Sequence, residues 1–488
     1  MAGVLILGLG VLDWIARSLS GLATSAREPR PGSDVIPLAR PVSSRSVSAR
    51  SESQAALRLI ACALVLLPLV AVIAGCSEDA AQPTRSEDPQ RVWAAEPGSR
   101  ALFPRLAQDT GVAVLAWTEA DDEGPRAAWA AIRPIGAGWR APERLPTDGA
   151  ATVFDAAVDS RGAAMVAVVE AAGRLGALLR VFTRPPDAGW SASEPLAVSV
   201  GPGGLGGVDL AAGPDGEVVV VFERAVGGGE SVVAVARTPD GRWGSPSALE
   251  RPVPAREGGS PPSAAVGPGG RAIAVWERDG ILAAERGDDG RWGPARRIGA
   301  GPSGFFPQVG IAPDGRTVVV WGATDPETVA QVVRVAERPR GGAWGAEETV
   351  YAPGGRGGGW PQTAMGPAGH IVVAFGVDVD RRRTIHAVLR EPAGPFPPAE
   401  PLSRPLRLTP PPVTPAVAVD AEGNAAVAWA AGGPLTLGTR TPERGWSALR
   451  RFGDGAGMPA LAAAEGRVLA AWVRGGGEVW VADVTAGE

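Results

Sequence analysis

From about residue 90 onward, short apolar runs alternate with clusters of glycine, proline and aspartate. The runs are rich in valine, alanine and isoleucine and have the length and boundaries of β-strands. No run keeps a 3.6-residue hydrophobic period for long enough to predict a helix. Two segments show the pattern clearly: VDLAAGPDGEVVVVFERAVGGGESVVAVARTPDGRWGSPSALE at 208–250, and PSAAVGPGGRAIAVWERDGILAAERGDDGRWGPARRI at 262–298. Each reads as a strand, a turn ending in glycine, and a strand ending in an aromatic. A variable loop, a strand ending in arginine, a tight turn and a tryptophan follow.

The unit recurs about every 50 residues, and such periods signal repeat architectures. The first turn ends at Gly111, Gly162, Gly216, Gly270, Gly315, Gly369, Gly423 and Gly466. The second strand ends at Trp117, Val169, Phe222, Trp276, Trp321, Phe375, Trp429 and Trp472. The third ends at Arg133, Arg184, Arg237, Arg286, Arg338, Arg390 and Arg440, and the fourth begins at Trp139, Trp190, Trp243, Trp292, Trp344, Phe396 and Trp446. The eighth unit has three strands before the chain stops. The segment Gln90-Arg91-Val92-Trp93-Ala94-Ala95-Glu96-Pro97 resembles a fourth strand and can complete it.

One four-stranded sheet cannot bury both faces alone, whereas radial stacking buries each against its neighbours and protects the edges. The expected fold is therefore an all-β propeller of eight four-stranded blades over 91–488, closed by the N-terminal strand. Seven blades is the alternative, because the second unit has Val169 in place of the usual aromatic. The recurring aromatics are then wedges between blades, each worth about 1.5–3 kcal/mol when fully buried.

Composition narrows the class. All 47 basic residues are arginine, and the formal net charge is only -5. No basic block suggests a nucleic-acid partner. The two cysteines, Cys62 and Cys76, both precede the repeat body, so no disulfide framework holds it. No motif calls for a cofactor or a metal: His370 and His386 have no cysteine partners, and a zinc site needs about four ligands. Asp378 and Asp380 are too few oxygens for calcium.

Residues 59–75 read LIACALVLLPLVAVIAG, with Arg50 and Arg58 ahead and Cys76 behind. That is the layout of a secretory signal. The end of the run, Ile73-Ala74-Gly75-Cys76, resembles the lipobox of bacterial lipoproteins. The resemblance implies lipidation of Cys76 and a membrane partner through that lipid. With Ser77 following, it also implies a place in the cell envelope, at the outer membrane if the organism has one. On this reading 1–75 is leader, with a start codon that can lie further downstream, and 76–90 is a polar tether.

The turn Thr238-Pro239-Asp240-Gly241-Arg242-Trp243 resembles the Asp-box of sialidase-superfamily propellers. That family's chemistry implies three arginines around a carboxylate, a tyrosine–glutamate nucleophile pair and an acid. The sequence departs from it. The arginine series recurs in seven units, so it reads as structural. The single tyrosine, Tyr351, has no signature partner. Glu119, Glu170, Glu223 and Glu277 stand at the ends of second strands, where carboxylates can pair for glycoside hydrolysis or simply face solvent. The loops entering first strands vary most, and a rigid scaffold presents its site on such loops. They carry Phe305, Phe306, Arg356 and Trp360, expected either to meet a ligand or to plug the blade tops. Two functions follow. The first is a non-catalytic, lipid-anchored binding or scaffold protein with a protein or glycan partner. The second is a sialidase-like glycan hydrolase or glycan-binding protein.

Overall fold

The computed structural model describes residues 88–486 apart from 110, 174–175, 201–203, 255–258, 300–303, 326, 329, 353–360, 381 and 408–413. Eight antiparallel sheets follow one another around an axis. Blades 1 to 7 occupy 100–144, 151–200, 205–254, 263–297, 304–351, 362–407 and 416–452. Blade 8 takes three strands from 456–485 and its fourth from Gln90–Ala94, which pairs antiparallel with the last strand of the chain, Glu478–Thr485. The first strand of every blade packs against the first strands of both neighbours, so the inner strands form a closed ring. Eight blades, closed by the N-terminal strand, match the expectation from the repeat.

The core lies between blades. Eight apolar clusters fill the eight interfaces. Trp117, Phe222, Trp276, Trp321, Phe375, Trp429 and Trp472 are buried and point at the preceding blade.

Blade 2 corrects the reading by one residue. In the other seven blades the aromatic lies six positions after the turn glycine, which in blade 2 is Val168. Val168 faces blade 1 and Val169 faces blade 3. The missing ring is supplied from the next strand, because Phe182 pairs with Val166 and is fully buried in the same interface. The matching third-strand residues elsewhere are small: Ala131, Val235, Ala284, Ala336, Val388, Gly438 and Ala482. Blade 2 thus exchanges the large and small positions of two paired strands.

The fourth strands are shorter than the pattern suggests. Those of blades 2, 3, 6 and 7 are broken into two pieces. The tryptophans Trp243, Trp292 and Trp446 sit opposite the third-strand arginines across the preceding tight turn.

The arginine series is structural. Arg133, Arg184, Arg237, Arg338, Arg390 and Arg440 each pair with an acid of the preceding blade: Asp483, Glu143, Asp159, Glu285, Glu337 and Glu400. Arg286 instead donates to the Gly270 carbonyl of its own blade, at 2.9 Å. Arg338 and Arg390 also lie over the rings of Trp344 and Phe396. In the Asp-box-like turn, Gly241 takes φ 92°, which favours glycine, and Asp240 binds Thr238 and Arg242 within the turn.

Candidate functional site

The inner strands carry the site. The residue just before each second-strand aromatic pairs with one inner-strand residue, which defines a single level around the axis. That level reads Arg105, Asp155, Asp209, Ser263, Gln308, Gln362, Ala416 and Ala460 from blade 1 to blade 8. Its side chains reach from blade to blade in one sense. Arg105 Nε donates to the Phe154 carbonyl of blade 2. Asp155 Oδ2 accepts from the Leu210 N–H of blade 3 at 2.9 Å, and Asp209 Oδ2 from the Ala264 N–H of blade 4 at 2.7 Å.

The two aspartates lie side by side, deep in the ring but still open to water along the axis. Burial pushes both carboxyls up, and Arg105 opposes the shift. Asp209 reaches about 8, because its burial is compounded by the neighbouring Asp155 charge. Like charges this close cannot both ionise cheaply, so near neutral pH Asp209 keeps a proton.

The inner strands bulge one step towards the mouth. The register breaks beside Phe103, Phe154, Gly207, Phe306 and Met458. Phe103, Phe306 and Met458 take left-handed backbone at φ 52°, 49° and 52°. Such strain in bulky residues persists only where surroundings enforce it. Phe103, Phe154 and Phe306 are half-buried and Met458 is 41% exposed, so these side chains give the mouth an apolar collar. At blade 3 the position is Gly207, where a Cβ would come within 3.2 Å of Glu223 Oε2 and 2.8 Å of Pro262. Glycine there lets the Glu223 carboxyl approach the inner strand.

Around Glu223 the tops of blades 3 and 4 hold four glutamates and one arginine. Arg278 is 8% exposed and pairs with Glu230 and Glu250, at 3.2 and 3.1 Å. Glu250 also accepts from Trp276 Nε1 at 2.9 Å. Glu277 accepts from the Ser260 hydroxyl at 2.6 Å, and Ser260 Oγ accepts from the Phe306 N–H of blade 5 at 2.9 Å. Glu223 differs from these three, since no hydrogen bond or ion pair engages its carboxyl among the described residues. Burial and the Glu230 charge push it to about 7, although Arg278 opposes the shift. The mouth therefore holds a carboxyl whose pKa is raised to about 7, so that it is protonated below neutral pH, and none of the described residues pairs with it.

The residues singled out in sequence fall into four groups. Glu223, Glu277 and Phe306 converge at this mouth. Phe305 is a plug: it pairs with Gly322, and a Cβ on Gly322 would lie 2.2 Å from its ring. Arg356 and Trp360 lie outside the described residues, as does Cys76. The remaining candidates serve the scaffold. Glu119 accepts from Trp129 Nε1 at 2.8 Å. Glu170 is buried, 3.4 Å from Arg180. Tyr351 packs against Phe375 and His386, and burial raises its hydroxyl pKa. Asp378 is bound at both oxygens by Arg383, at 2.6 and 2.7 Å, so it is not a calcium ligand in waiting.

Arg105, Asp155, Asp209, Glu230, Glu250 and Arg278 were not singled out in sequence. A signal for the aspartates existed. In six units the axial residue directly follows a proline, and the two units without that proline carry Asp155 and Asp209.

No protein family matches the chain, and no curated protein matches its sequence. Among solved structures it is similar to an ulvan lyase from a family of polysaccharide lyases, at 12% identity and TM-score 0.44, over 74% of this chain and 95% of that one. It is similar to a Hadza microbial sialidase at 11% identity and TM-score 0.38, over 82% and 95%. A prolyl endopeptidase matches at 12% identity and TM-score 0.47, over 78% of this chain and 55% of the other. The fold is that of an eight-bladed β-propeller, and propellers host many functions. What this one does rests on its own side chains.

Proposed function

We propose that this protein is a glycan-binding propeller whose axial mouth takes a neutral saccharide. The observation that carries this is Glu223, a carboxyl at the mouth with no hydrogen-bond or ion-pair partner among the described residues. That carboxyl is only partly buried, so a ligand hydroxyl can reach it and exchange hydrogen bonds with it. The collar of Phe103, Phe154, Phe306 and Met458 suits the apolar face of a sugar ring. The carboxyls of Glu223, Glu277 and Asp209 suit its hydroxyls.

Charge argues against an acidic sugar. Glu230, Glu250 and Glu277 stand at the mouth, and Arg278 beside them is already engaged by Glu230 and Glu250. An anionic sugar would meet repulsion there, so the reading departs from a sialidase. Binding is favoured over hydrolysis because Glu250 and Glu277 are tied to protein donors and neither is a free base. A glycan array and a glycosidase screen on the full chain test both points. Retention of neutral glycans without turnover is expected; binding confined to sialylated or uronate glycans would overturn the reading.

The Cys76 anchor is part of the same proposal and rests on the lipobox alone. Metabolic lipid labelling of the wild type and of Cys76→Ala tests it. Label is expected on the wild type only, and equal labelling of both would remove the anchor.

A further inference from the structure

A second concave site lies at the seam where the chain closes on itself. It is a shallow, open depression of about 580 Å³. Arg91 of the closing strand, Asp454 of the loop entering blade 8, and Arg474, Glu478 and Trp480 of the following hairpin line it. Arg91 Nη1 holds Glu478 Oε1 at 2.9 Å, and Trp480 Nε1 donates to Glu478 Oε2 at 2.9 Å. Those bonds keep the Glu478 carboxyl below its usual range, hence ionised. The Arg474 guanidinium lies over the Trp480 ring at 5.2 Å. The hairpin tip, Gly475-Gly476-Gly477, leaves the rim low, because a Cβ on Gly475 or Gly476 would meet nothing within 4 Å.

Two cations and two anions face this cavity, so it offers no net charge with which to select an ion. It offers alternating donors and acceptors around an indole wall. A hydroxyl is the group that both donates to a carboxylate and accepts from a guanidinium. We infer that the seam pocket is a second saccharide site, independent of the axial mouth. It takes a neutral sugar with adjacent hydroxyls bridged between Arg91, Asp454 and Arg474, the last held in place over the Trp480 ring. The residues that line the seam are not among those assigned to the mouth, so each site can fail alone.

Titration calorimetry with neutral oligosaccharides of glucose, mannose, galactose and arabinose tests this on the full chain. The mouth is first disabled by Glu223→Ala. Binding should persist in that variant and fall at least tenfold when Asp454→Ala is added. Asp454 is exposed and bonds no described residue, so its removal does not threaten the fold. Arg91→Ala should give a similar loss. The inference is overturned if no member of the panel binds Glu223→Ala, or if binding there is indifferent to both added substitutions. If Glu223→Ala binds with the stoichiometry and affinity of the wild type and all of that binding is sensitive to Asp454, the mouth reading is overturned and the seam site stands.

Discussion

Glu223 and Asp209 carry the pH behaviour of the molecule, through two different consequences. Glu223 acts on the ligand. Its carboxyl donates only while protonated, so affinity for a neutral glycan should hold below about 7 and decline above it. Glutamine keeps a donor at every pH. Glu223→Gln should therefore bind with a flat pH profile from 5 to 9, measurable by calorimetry, where the wild type falls. Asp209 acts on stability. Its folded-state value is raised from 3.8 to about 8, so between those limits the unfolded chain holds fewer protons than the folded one. Stability then falls as pH rises through that window. Asparagine can still accept from the Ala264 N–H and carries no charge to lose. Asp209→Asn should melt a few degrees higher than the wild type at pH 8 and coincide with it near pH 4, by thermal denaturation. A variant that melts lower at both pH values would show that the charge, not the burial, is what the ring needs.

At the level of strands, the exchange in blade 2 makes a sharp test of how the wedges work. Placing Val168→Trp beside Phe182 should overpack the interface and cost about 1–3 kcal/mol. Adding Phe182→Ala restores the arrangement of the other seven blades and should recover most of that loss. The coupling is read from a double-mutant cycle in urea. The same pair shows where sequence reading stops. The wedge position was legible because its tryptophans and phenylalanines recur at fixed spacing from a glycine. In blade 2 the ring moved to the paired strand, and only the strand register reveals that Phe182 and Val168 share a face. The arginine series was likewise recognisable as structural, but its acids were not, since they come from three kinds of place: Glu143 and Glu400 from fourth strands, Asp159 from a first turn, and Asp483, Glu285 and Glu337 from third strands. Two were half-visible: Glu285-Arg286 and Glu337-Arg338 alternate along third strands, and in the second pair Glu337 serves blade 6 while Arg338 serves blade 4. The site was the least legible part. Ser260, Phe306 and Glu277 come from two blades, and their contacts arise only once those blades pack.

For the whole ring, the closing strand decides integrity. Trp93 places its ring 5.7 Å from Trp117 and 5.9 Å from Trp129, tying blade 8 to blade 1. It is only partly buried, so Trp93→Ala should cost roughly 2 kcal/mol, below the 3–5 of a fully buried tryptophan. The effect should be global. Hydrogen exchange in blades 1 and 8 should rise together in that variant, and an increase confined to Gln90–Ala94 would show that the ring stays closed without the wedge.

The closure also sets an order of events during translation. Arg91 precedes its partner Glu478 by 387 residues. At ribosomal speeds the first strand waits roughly 20–80 s for the last hairpin to emerge. Throughout that interval blade 1 lacks its neighbour and its Trp117 face is open, so the nascent chain should need shielding while it grows. A transcript cut short anywhere before the final hairpin yields a product that has no means of closing. Completeness of synthesis is thus written into the architecture, because the first strand to be made can be satisfied only by the last.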